Sequence, residues 1–302
     1  MTSAVALPTR VAARGRAFLR LVRPLNVVMM ATGTVIGGVL ASGAAALQPQ
    51  AGGSLLMAAT AAAAIGAAAN AINDLFDLEI DRVNRPHRPL AAGVISPAGA
   101  RAAWAVLSLT GVALAILLSW MHAVIAVASV ALLYLYSARL KRRAVLGNVA
   151  VAVVIGLALP FGGLAVIDFS VGGEGPLLAG GLFAFVTTLS REIIKDVEDA
   201  SGDLAGGART LPIVAGPRLA AYLAGGLALA TVAGLPLALP AELSPWFLPL
   251  AAPAAALLIA SAWYMFAVPP EAERQRAYAR RASALMKGAM LAGLVALAVS
   301  AW

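Results

Sequence analysis

With 302 residues, 61% of them hydrophobic and only 12% charged, the chain carries more apolar surface than a soluble fold of this size buries; an ordinary soluble domain is about a quarter charged. The net charge of +8 follows from how basic residues are distributed about a membrane and attracted to anionic lipid, and does not point to nucleic acid. With no cysteine in the sequence, disulfides, thiol catalysis and thiolate metal sites are excluded.

Residues 1–23 form a basic segment with five arginines, and 8–21 (PTRVAARGRAFLRL) have the pattern of an interfacial amphipathic helix. A frayed basic tail fits the same composition. Apolar windows of roughly 20 residues then recur, the length that crosses about 30 Å of hydrocarbon as a helix. They lie at about 24–46, 54–73, 98–119, 121–139, 147–168, 176–194, 218–240, 245–268 and 282–301. The first is too long for the core of a cleavable signal peptide. Only Ser119-Trp120-Met121-His122 divides the third window from the fourth, but one helix through 98–139 is too long to cross once. In the fifth, Pro160-Phe161-Gly162-Gly163 predicts a kink. Asp168 and Glu174, on the next connection, read as solvated charge.

All 22 Lys and Arg precede the first window or lie in or beside alternate connections, namely two–three, four–five, six–seven and eight–nine. Basic residues collect on the cytoplasmic side. The expectation is an all-α, multi-pass protein of the cytoplasmic membrane, nine transmembrane helices in one bundle, N-terminus inside and C-terminus outside. Its membrane domain spans 24–302, with cytoplasmic cap loops about 74–97 and 195–217.

Two acid clusters end windows on that predicted cytoplasmic side, and together hold 9 of the 14 acids. Asn73, Asp77 and Asp81 are spaced i, i+4, i+8 and share a helix face, with Asp74 on an adjacent one. Asp196, Asp199 and Asp203 are spaced i, i+3, i+7 on another. Like charges at this spacing repel unless a cation sits among them. Mg2+ takes oxygen ligands, keeps several waters and is shared between a few carboxylates and substrate phosphates. Nearby Arg82, Arg85, Arg88, Lys141, Arg142, Arg143, Lys195 and Arg209 complement such phosphates. The combination predicts a site for a phosphate ester with an apolar tail, its departing diphosphate stabilised electrostatically.

The run Asn73-Asp74-x-x-Asp77-x-x-x-Asp81 followed by Arg82-x-Asn84-x-Pro86-x-Arg88-Pro89-Leu90 resembles the first signature of the UbiA superfamily of intramembrane prenyltransferases, and Asp196-x-x-Asp199-x-x-x-Asp203 is similar to its second. The resemblance covers essentially the whole chain. It implies a prenyl diphosphate bridged by Mg2+ between the motifs, ionisation to an allylic cation, and capture by an acceptor nucleophile. Carried over, Asn73, Asp77 and Asp81 would hold one metal and Asp196 and Asp203 the other, with Asp74 and Asp199 supporting or ligating. Arg88 and Lys195 would contact the diphosphate. Tyr134-Leu135-Tyr136-Ser137-x-x-x-Lys141 looks like a further family feature, with Lys141 on the diphosphate and Tyr136 facing the cation. Tyr and Lys also mark membrane interfaces generally. Asn148 and Arg23-Pro24 are weaker substrate-binding candidates of the same kind.

The run from Arg191 to Asp203, with Arg209-Thr210-Leu211-Pro212, most resembles the family branch that joins geranylgeranyl diphosphate to geranylgeranylglyceryl phosphate, making the second ether bond of archaeal-type lipids. Prenylation of an aromatic acceptor (4-hydroxybenzoate- or homogentisate-like) in quinone biosynthesis is the second reading. A non-enzymatic transporter is remote, because it predicts charge near mid-membrane whereas these span centres are nearly bare. His122 and His87 have no partners at metal-ligand spacing.

Overall fold

The computed structural model describes residues 15–166, 174–236 and 245–300. Within them the regular elements are helices: α1 (15–22), α2 (Pro24–Ser42), α3 (Pro49–Phe76), α4 (Leu78–Asn84), α5 (Pro97–Leu118), α6 (Trp120–Ala138), α7 (Leu146–Gly156), α8 (Ala158–Gly163), α9 (Glu174–Ala205), α10 (Leu211–Ala215), α11 (Pro217–Gly234), α12 (Phe247–Phe266) and α13 (Ala272–Ser300). Short 3-10 turns occupy Gly43–Leu47 and Leu140–Arg142. Residues 8–14 of the expected amphipathic segment and Asp168 lie outside the described residues.

Eight helical segments among the described residues are long and apolar enough to cross a membrane. The chain is an integral membrane protein, and its exposed leucines, such as Leu109 and Leu117, suit lipid contact. The window 218–240 is helical over Pro217–Gly234, and residues 237–244 lie outside the described residues. The third and fourth windows separate where expected. Ser119 is extended, its Oγ lies 2.7 Å from Nδ1 of His122, and it accepts the His122 backbone N–H at 3.3 Å. His122 is therefore a buried part of a helix start.

The chain divides into two compact units: one ends its first segment at Ala31 and resumes over Ala59–Ala138, and the other comprises Thr32–Ala58 and residues from Arg139 onward. In the first, a Cβ at Gly111 on α5 would stand 2.6 Å from Ile65 Cγ1 and 3.0 Å from the Ala61 carbonyl on α3, so glycine permits close helix approach. Tyr134 on α6 meets Phe76 and Trp104, with ring centroids 5.6 and 5.5 Å apart.

In the second unit, Ile194, Val197, Ala220, Ala224, Leu258, Ala262, Met265 and Met286 form the main apolar core. Small hydroxyls there return hydrogen bonds to helix carbonyls: Ser190 Oγ donates to Ala224 at 2.7 Å and Ser261 Oγ to Ala282 at 2.9 Å. The kink predicted in the fifth window appears as the break between α7 and α8 at Leu157. Pro160, three residues on, has no N–H for the Gly156 carbonyl. Gly162 then lies against α2, where an added Cβ would be 1.7 Å from the Thr34 carbonyl oxygen. The obstacle is backbone and cannot rotate away. Gly162→Ala should therefore cost about 1–3 kcal/mol by overpacking, read as a lower Tm in detergent. Gly226→Ala, where a Cβ meets nothing within 4 Å, should leave Tm unchanged or slightly raised.

Candidate active site

The first acid cluster lies at the end of α3. The helix breaks at Asp77, which adopts φ −90°, ψ 0° before α4. Even so the i→i−4 ladder continues, Asp77 N–H donating to the Asn73 carbonyl at 3.0 Å and Asp81 N–H to that of Asp77 at 2.8 Å. The predicted spacing thus survives the break. Asn73 Nδ2 donates to Asp77 Oδ2 at 3.0 Å, which brings two expected ligands together.

Asp74 is 2% exposed. Its carboxylate accepts from Arg23 and, at 3.3 Å, from Arg88, and Arg88 also pairs with Asp81. Burial raises the Asp81 carboxyl above its ordinary range, and Arg88 offsets part of that. Arg23 joins α1 to α2 with φ +54°, a strained conformation for a non-glycine residue. Two contacts hold this junction to α3, since Asn70 Nδ2 also donates to the Val22 carbonyl at 2.8 Å. Sequence reasoning placed Arg23 and Arg88 on substrate, but missed that one buried carboxylate holds both.

The second cluster lies on α9, which continues unbroken from the membrane window to Ala205. Asp196, Asp199 and Asp203 are half-buried on this one helix. Asn148 Nδ2, in the first turn of α7, donates to Asp196 Oδ2 at 2.9 Å. A weak sequence candidate therefore backs an expected metal ligand. Lys195 Nζ instead lies 2.9 Å from Glu192 Oε2, and Arg191 lies 2.9 Å from Oε1 of the same buried glutamate. Sequence reasoning gave Glu192 no role, although its i, i+3 spacing to Lys195 signals the pair.

Lys141 is half-buried in the Leu140–Arg142 turn, and Tyr136 is half-buried on α6. Arg209 is exposed, and its backbone N–H donates to the Arg142 carbonyl at 2.8 Å.

Among the described residues, no three His, Cys, Asp or Glu side chains form a ready-made metal cage. The donor set is nevertheless all oxygen, from carboxylates and amides, and suits a hard cation that shares its ligands with water and phosphate. Removing the Asp74 carboxylate takes the acidic partner from partly buried Arg23 and one of two from Arg88, which keeps Asp81. Asp74→Ala should cost about 3 kcal/mol, seen as a fall in detergent Tm, with Asp74→Asn intermediate. Asn148→Ala should lower catalytic efficiency about tenfold or more through the freed Asp196, as loss of a ligand's hydrogen-bond partner generally does.

Comparison with known proteins agrees with this architecture. The UbiA prenyltransferase family model matches residues 30–291. Digeranylgeranylglyceryl phosphate synthase of Methanopyrus kandleri is 38% identical over 288 residues, 94% of this chain and 99% of the relative. A solved structure reported for digeranylgeranylglyceryl phosphate synthase in membranes matches with TM-score 0.75 and 29% identity, covering 96% of this chain and 99% of that one. A UbiA homologue from Archaeoglobus fulgidus bound to DMAPP and Mg2+ shares the fold, with TM-score 0.63 at 21% identity over 93% of this chain and 99% of that one. With its paired acid runs on membrane helices and a family match across most of its length, the chain belongs to the UbiA prenyltransferase family.

Proposed function

We propose that this chain transfers a geranylgeranyl group from its diphosphate to the free hydroxyl of geranylgeranylglyceryl phosphate, forming an ether-linked membrane lipid precursor. The observation that carries the reading is the run from Arg191 to Asp203 with Arg209-Thr210-Leu211-Pro212, in a chain similar over 94% of its length to a digeranylgeranylglyceryl phosphate synthase. In this reading the chain crosses the cytoplasmic membrane nine times from a cytoplasmic N-terminus. The catalytic domain is 24–302, behind a basic interfacial segment 1–23. The acid clusters and the cap loops about 74–97 and 195–217 face the cytoplasm.

Asn73, Asp77 and Asp81 would hold one Mg2+, and Asp196 and Asp203, with Asp199, another. When bound, Mg2+ neutralises the diphosphate and makes it a better leaving group. Arg88 adds charge to the same diphosphate from a fixed position, since Asp74 and Asp81 hold its guanidinium. Lys141, Lys195 and Arg23 supply further positive charge there, and Arg209 binds substrate. Tyr136 presents a π face to the allylic cation formed as the donor C–O bond breaks, a stabilising geometry for a cation. The acceptor hydroxyl oxygen then forms the new ether bond and loses its proton, and the apolar tails remain in lipid.

Asp77→Asn and Asp196→Asn should each lower transfer of labelled geranylgeranyl by about a hundredfold or more, with membrane insertion and yield unchanged. Excess EDTA should abolish transfer and Mg2+ restore it. Wild-type rates in either variant, or full activity in EDTA, contradict the metal-dependent reading.

A further inference from the structure

In the second unit, two short segments remote in sequence are tied by backbone. Arg209 N–H donates to the Arg142 carbonyl at 2.8 Å, and Arg143 and Arg209 form an isolated parallel bridge. The pairing sets cationic residues of 141–143 beside Arg209. Like charges placed across paired backbone destabilise one another. Arg142, Arg143 and Arg209 are exposed, and among the described residues none of the three has an acidic partner. In the same unit Arg191 and Lys195 share Glu192, Arg280 pairs with Glu198 at 3.1 Å, and Arg281 lies over the Tyr264 ring.

The segment is also locked in position. Val145 has φ +64°, closing a tight turn in which Leu146 N–H donates to the Ala144 carbonyl at 2.7 Å. A Cβ on Gly147 would meet Lys141 Cα at 2.8 Å and the Leu140 carbonyl oxygen at 2.9 Å, so the 140–141 backbone rests directly on the start of α7. The next residue, Asn148, donates to Asp196. Arg142, Arg143 and Arg209 are thus fixed by backbone contacts one residue from the support of the second acid cluster. Thr210, following Arg209, adds a buried hydroxyl with no hydrogen-bond partner among the described residues.

A solvated loop needs neither this pairing nor this packing. A dianion on the cationic segment removes the repulsion and uses the fork geometry of arginine, which matches phosphate. We propose that the paired segments 140–143 and 208–210 form the subsite for the acceptor's phosphate monoester, so that Arg142, Arg143 and Arg209 set the preference for a phosphate-bearing acceptor. This rests on the acceptor reading given above. It places the acceptor headgroup on Arg142, Arg143 and Arg209.

The test compares wild type, the double variant Arg142→Gln/Arg143→Gln and Arg209→Gln, in detergent with Mg2+ and geranylgeranyl diphosphate. The acceptors are geranylgeranylglyceryl phosphate and its dephosphorylated counterpart, geranylgeranylglycerol, and glycerol phosphate serves as a competitor. The variants should raise KM for the phosphorylated acceptor about tenfold or more, as expected for lost charged hydrogen bonds. KM for the donor should stay within about twofold, and preference over geranylgeranylglycerol should fall by the acceptor factor. Glycerol phosphate should compete with the acceptor in wild type and lose potency by a similar factor. Arg142→Lys/Arg143→Lys, which keeps the charge and loses the fork, should fall between wild type and the Gln variant.

An unchanged preference, or a loss expressed in the donor KM, overturns the subsite. Repeating the assay in vesicles of neutral and of anionic lipid separates a bilayer role. A loss seen only in anionic vesicles, equal for both acceptors, assigns the arginines to lipid headgroups and also overturns it. If wild type itself gives no product from geranylgeranylglyceryl phosphate, the acceptor reading has failed. Turnover by wild type with unaltered discrimination in the variants condemns the subsite alone.

Discussion

A carboxylate buried at the end of a membrane helix is costly unless a cation accompanies it, and much of the site follows from how this chain meets that requirement. Asp74, almost fully buried, draws Arg23 and Arg88 to one point. Arg88 in turn reaches Asp81, whose own burial raises its carboxyl. The same demand fixes the junction of α1 and α2, because Arg23 is held in a strained backbone conformation where its guanidinium meets Asp74. Acids so arranged are fixed in direction before any ligand arrives, which reduces the reorganisation needed when charge develops.

Packing in the second unit serves a similar end. Pro160 and the break at Leu157 divide one membrane window into α7 and α8, and Gly162 lets α8 approach the backbone of α2. At the other end of α7, Gly147 accepts the 140–141 turn so closely that no side chain fits. Asn148, the next residue, donates to Asp196. Small residues here are sites where backbone meets backbone, which agrees with how helices associate where the hydrophobic effect gives little help.

Much of this was legible in the sequence because hydrocarbon imposes simple rules. The windows mapped onto helices, Ser119 divided the third from the fourth, and both acid spacings persisted on helices. Window edges were poorer guides, since hydropathy marks where solvent begins and not where hydrogen bonding ends. Thus α9 runs on to Ala205, and α13 starts at Ala272, ahead of its window at 282. The partners were harder still. Arg23 and Asp74 are 51 residues apart and Asn148 and Asp196 are 48 apart, separations with no local periodicity to expose them. Lys195 was read as facing substrate, and its ion pair with Glu192 three residues earlier was not part of that reading.

The central claim is that a metal-dependent prenyl transfer ends on a phosphate-bearing glycerol ether. The most direct measurement supplies purified protein with Mg2+ and labelled geranylgeranyl diphosphate, offers geranylgeranylglyceryl phosphate or 4-hydroxybenzoate separately, and identifies the product by mass. The account predicts a labelled diether phosphate with the first acceptor and no prenylated product with the second. A prenylated phenolic acid, with no diether phosphate, would contradict it.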